Sequence, residues 1–192
     1  MTSNLLDPRT ALVVIDLQRG VAAMPVAPHS TEDVVARNVE LARAFRAQDL
    51  PVVLVRVSFA ADGSDVPPGR TEQPMRGTPP QGWDELIDEL EVQPSDIVVT
   101  KRQWGAFHGT DLDLQLRRRG VTGIVLTGIA TSIGVESTAR AAHEHGYHVV
   151  LATDAMADRD ADAHDHSVGK IFPRLGLTAT TKQVLDELST RA

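Results

Sequence analysis

Five short apolar runs dominate the chain: ALVVID (Ala11–Asp16), PVVLVRV (Pro51–Val57), DIVVTK (Asp96–Lys101), VTGIVLTG (Val121–Gly128) and YHVVLATD (Tyr147–Asp154). They are continuous rather than alternating, the mark of strands covered on both faces, as in a parallel sheet. A weaker sixth strand is expected near Leu177–Thr180. Between them lie helical patterns. In Thr31–Gln48, Val34, Val35, Val39, Ala42 and Phe45 share a face, and Ser30 or Thr31 can cap it. Trp83–Leu90 reads as a short helix, and Thr110–Gly120 as another with Gly120 as its C-cap. Further helices are expected from the end of the fourth run to Gly146, over Asp160–Leu175, and at the C-terminus. Strand–helix alternation of this kind predicts an α/β fold: a three-layer α/β/α sandwich with a six-stranded, mainly parallel, Rossmann-like sheet. Residues 1–192 suit a single domain.

Composition excludes several classes. Lys plus Arg is 19 against 26 Asp plus Glu, a net −7, which disfavours a general nucleic-acid binder. The triplet Arg117, Arg118 and Arg119 reads as a solvated helix end. There is no cysteine, so disulfides, thiolate metal sites and cysteine nucleophiles are excluded. The start, MTSNLLDPRT, lacks a basic and apolar leader, and no run approaches the roughly 20 residues that span a bilayer. A cytoplasmic protein is expected, without nucleic-acid or membrane partners.

In open parallel sheets, ligands bind at the carboxyl ends of the strands. There the chain places Asp16, with Gln18 just beyond, then Lys101, Gly128 and Asp154. An Asp and a Lys at neighbouring strand ends can hold an acid or base in place, or form a plain ion pair. The stretch Ala130-Thr131-Ser132-Ile133-Gly134 leads into a helix. Its outward N–H groups can stabilise an anion, or Thr131 or Ser132 can simply cap the helix.

Three ordered segments, ALVVIDLQ, KRQWGAFHGTDLDLQLRRRG and GIATSIGVESTARAAHEHGY, resemble the isochorismatase-like hydrolase family of the cysteine hydrolase superfamily. The resemblance runs from about Leu12 to the last helix. It implies a parallel α/β sandwich whose triad is an Asp, a Lys and a Cys, placed on Asp16, Lys101 and Gly134. With glycine in the third position, attack by a thiolate is ruled out. The resemblance also implies another route: isochorismatases tend to carry Gly there and cleave a vinyl ether, the Asp protonating the alkene carbon and water capturing the oxocarbenium ion. Their Tyr-Ala-His segment is replaced here by Ala130-Thr131-Ser132. Thr131 or Ser132 would replace the sulfur only with a base in hydrogen-bond reach.

The expected substrate contacts are Gln18, Trp104, Phe107, Ala130, Thr131, Ser132 and Ile133. Trp104 and Phe107 either wall the pocket or pack in the core or between subunits. Arg70, Gln73 and Arg76 occupy a Pro- and Gly-rich loop over Gly63–Gly82, where an Arg can clamp a carboxylate or stay solvated. His143, His145, His148, His164 and His166 read as solvent-facing or interfacial. Ser58–Gly82 holds no His, where related nicotinamidases bind a metal, so neither metal nor other cofactor is expected. The leading reading is a small-molecule hydrolase without a covalent intermediate, as a homodimer or homotetramer, with Asp16 as acid or base, Lys101 positioning it and the backbone N–H groups around Gly134 binding the developing charge. The alternative is a catalytically silent binding protein.

Overall fold

The computed structural model describes residues 5–72 and 79–190. Six strands form one sheet: β1 (Thr10–Ile15), β2 (Val52–Val57), β3 (Ile97–Lys101), β4 (Gly123–Ile129), β5 (His148–Ala157) and β6 (Leu177–Ala179). Their order is β3-β2-β1-β4-β5-β6, and every neighbouring pair is parallel. The helices are α1 (Arg19–Ala22), α2 (Thr31–Ala47), α3 (Leu112–Arg118), α4 (Glu136–Glu144), α5 (Ala161–His166) and α6 (Thr181–Ser189).

Period-two geometry sends alternate residues of the apolar strands to opposite faces. Val13, Ile15, Val53 and Val55 meet Leu112, Leu116 and Ala139 of α3 and α4 on one face. Leu12, Val14 and Leu54 meet Val34, Leu41, Phe45, Val184 and Leu188 of α2 and α6 on the other. Two apolar layers follow, which is why the strand runs are unbroken. The strand order reverses between β1 and β4, so the crevice at their carboxyl ends is the natural place for a ligand.

Three expected elements differ. Trp83–Leu90 is not a helix: only Asp88–Leu90 forms a 3₁₀ turn. The backbone before it pairs with the chain after β1, where Arg19 N–H donates to Glu85 O at 2.8 Å, Gly20 N–H to Trp83 O at 2.8 Å, and Ile87 N–H to Leu17 O at 3.2 Å. These long-range bonds override the helical period of the side chains. The fifth strand continues past Asp154 to Ala157 after a register shift, so Asp154 is mid-strand. Its carboxylate accepts the Thr181 N–H and hydroxyl at the start of α6. The helix expected over Asp160–Leu175 is α5 followed by a π turn (Ser167–Ile171) and a 3₁₀ turn (Phe172–Arg174) containing Pro173. No described helix is long and apolar enough to cross a membrane.

Candidate active site

Asp16 follows β1 directly, with its backbone in the left-handed region at φ +52°. Lys101 is the last residue of β3. The two strand ends are not neighbours, because β2 lies between them. Two strand spacings amount to roughly 10 Å, which the long lysine side chain helps to bridge. Lys101 Nζ donates to Asp16 Oδ2 at 2.7 Å and to Gln103 O at 3.1 Å. Both side chains are buried, at 2% exposure for lysine and 9% for aspartate. Asp16 Oδ1 is buried without a hydrogen-bond partner among the described residues.

Two opposed effects act on the Asp16 carboxyl. Burial disfavours its charge, and the Lys101 ammonium favours it. Burial wins, and the pKa rises from 3.8 to about 6. That suits a group that carries a proton near neutral pH.

The third position approaches from β4. At Gly128, φ is +113° and an added Cβ would lie 2.1 Å from Ile15 O, so β4 meets the end of β1 more closely than any side chain allows. The peptide Ile129–Ala130 is cis. Thr131–Val135 then forms a π turn running into α4. Within it Gly134 is buried and faces the carboxylate: a Cβ there would stand 3.3 Å from Asp16 Oδ2 and 3.7 Å from Trp104 O, but 2.8 Å from Ile15 Cγ2. Asp16, Lys101 and Gly134 thus converge, and the glycine has no space for a side chain without displacing Ile15.

The amides of this turn are largely engaged within the protein. Those of Ile133 and Val135 both donate to Ala130 O, at 3.2 and 3.1 Å. That of Ser132 donates to Asp158 Oδ2 at 2.6 Å. Asp158 is 3% exposed and was not singled out from the sequence. Its side chain occupies, from within the protein, the helix entrance expected to face a ligand.

The expected substrate contacts divide. Gln18 is fully buried and its amide is engaged: Oε1 accepts the Val57 N–H at 2.8 Å, and Nε2 donates to Val57 O and Trp83 O. It braces the backbone rather than facing a ligand. Phe107 belongs to the core, where its ring packs on His145 and Tyr147. Thr131 is fully buried, with its Oγ1 2.9 Å from His164 Nδ1. The base that a nucleophilic threonine requires is therefore present, yet the hydroxyl has no surface through which to meet a substrate. His164, expected at the surface, is 4% exposed, and burial lowers its affinity for a second proton. Ala130, Ser132 and Ile133 are half-buried, and Trp104 is 66% exposed. Arg70 is exposed, and Gln73 and Arg76 lie outside the described residues. Among the described residues no group of three or more His, Asp or Glu is arranged to hold a metal.

Residues 10–183 match the family model for the isochorismatase domain. The chain is 46% identical over 180 residues to YecD, an isochorismatase family protein of Escherichia coli O157:H7, covering 93% of this chain and 96% of the relative. It is 34% identical over 172 residues to the ureidoacrylate amidohydrolase RutB of Pseudomonas syringae pv. syringae, covering 76% and 69%. The solved structure of an isochorismatase family protein from Burkholderia thailandensis superposes with a TM-score of 0.93 at 51% identity, covering 96% of this chain and 97% of that one. The sheet order, the buried Asp–Lys pair at its switch point and these matches converge on one conclusion: the chain belongs to the isochorismatase family of hydrolases.

Proposed function

We propose that this protein hydrolyses a small molecule without a covalent enzyme intermediate, and that the bond cleaved is a vinyl ether, isochorismate being one such substrate. The observation that carries the reading is the Asp16 carboxyl. It is buried, its pKa is about 6, one oxygen is held by Lys101 and the other has no partner among the described residues. The protonated carboxyl delivers its proton to the terminal alkene carbon. The ether oxygen then stabilises the resulting oxocarbenium ion. Water adds to that cation and its proton returns to the Asp16 carboxylate. The hemiketal collapses to an alcohol and a ketone, which is pyruvate when the substrate is an enolpyruvyl ether.

The positive intermediate matches a site whose nearby backbone amides are mostly engaged, because a cation needs no oxyanion hole. Gly134 leaves the carboxylate face clear of a side chain. Ala130, Ser132, Ile133 and the exposed Trp104 are the proposed walls of the pocket. The working form is proposed to be a cytoplasmic homodimer or homotetramer.

The missing side chain at Gly134 also favours a second reading, a silent binding protein that keeps the pocket. Assaying pyruvate release from isochorismate and related vinyl ethers, beside an Asp16→Asn control, separates the two. An enzyme loses turnover in the variant, whereas a binder shows none in either form and binds the same compounds.

A further inference from the structure

The Thr138 hydroxyl makes two hydrogen bonds at once, and both partners belong to the candidate site's framework. It donates to Gly134 O at 2.7 Å, one turn back along the helix. It accepts the backbone N–H of Ala106 at 3.1 Å, across 32 residues of sequence. Thr138 and Ala106 are both fully buried, so no water replaces either bond cheaply.

The Ala106 segment is the loop that leaves Lys101. Within it Gln103 O accepts the second hydrogen bond of the Lys101 ammonium, and Trp104 O lies against Gly134. One hydroxyl therefore joins the loop that steers the lysine to the turn that carries the glycine. We propose that Thr138 is a positioning residue: it fixes the Gln103–Ala106 loop against the Gly134 turn and so divides the Lys101 ammonium between Gln103 O and Asp16.

This rests on the reading of Asp16 as the working acid and adds the group that sets its balance. Without the hydroxyl the loop is released from Gly134 and Gln103 O loosens from Lys101. The ammonium then turns wholly to Asp16, and water enters beside it. Both changes favour the charged carboxylate. Among the described residues, Lys101 is the charged group that acts on Asp16, so no other titration confuses the outcome.

The test is carboxyl-carbon NMR titration of Asp16 in the intact protein, with Asp16→Asn used to assign the signal. Thr138→Val, an isostere without the hydroxyl, is expected to lower the Asp16 midpoint by about half a pH unit or more, roughly a threefold change in proton affinity. Thr138→Ser is expected to restore it. Should Thr138→Val not fold, Thr138→Ala against Thr138→Ser makes the same comparison, since both lack the γ-methyl and only serine keeps the hydroxyl. An Asp16 midpoint equal in the variants with and without the hydroxyl overturns the proposal. The titration needs no turnover, so its result stands apart from the assay of hydrolysis. A wild-type midpoint in the ordinary carboxylate range would instead overturn the acid reading itself.

Discussion

Gly134 and Asp16 constrain each other. The glycine's bare face points at the carboxylate, and Ile15 Cγ2 occupies the space a Cβ needs. Introducing Gly134→Cys forces a buried, β-branched neighbour to move, an overpacking that costs about 1–3 kcal/mol. A lowered midpoint in thermal or urea unfolding checks this, and an unchanged one means the turn relaxes freely. At Asp16, an acid role requires the protonated form. Turnover on a vinyl ether at subsaturating substrate should therefore be full at low pH and fall as pH rises through about 6. A limb rising with pH at that position would make Asp16 a base. Asp16 and Lys101 were legible because polar groups ending apolar runs are conspicuous, and Gly134 was legible through the resemblance of its segment to the family. Thr138, Asp158 and His164 were not. Each has a partner 26 to 33 residues away, and no local pattern signals such bonds.

At the scale of elements, β1, β2 and β4 were readable because burial on both faces leaves no polar alternation to confuse with a surface helix. Helix α2 was readable for the opposite reason, a single apolar stripe with Ser30 accepting from Asp33 N–H at its start. Trp83–Leu90 misleads because its side chains have helical spacing while its backbone bonds run to the residues after β1. Gln18 completes that arrangement by binding both backbone groups of Val57 and the Trp83 carbonyl. Replacing it as Gln18→Ala removes its bonds to the part-buried N–H and carbonyl of Val57, while Trp83 O keeps the Gly20 N–H, and should cost about 1–3 kcal/mol. Amide exchange should quicken at Val57 and through residues 83–87. Exchange that stays slow there would show that the backbone pairing holds without the side chain.

For the molecule as a whole, the parallel strand order brings the ends of β1 and β4 to the point where the sheet reverses direction. The fold thus places a strand-end carboxyl beside a helix entrance before any particular chemistry is chosen. The choice is made locally. Gly134 offers no side chain to the Asp16 carboxylate, burial raises the proton affinity of Asp16, and internal acceptors engage most of the entrance amides. On the proposed reading, these features serve proton transfer followed by capture of a cation by water. The most direct measurement is pyruvate release from isochorismate and related vinyl ethers by the purified protein and by its Asp16→Asn variant. The account predicts release by the wild type and none by the variant. Equal release by both, or no release by the wild type from any of these compounds, would contradict it.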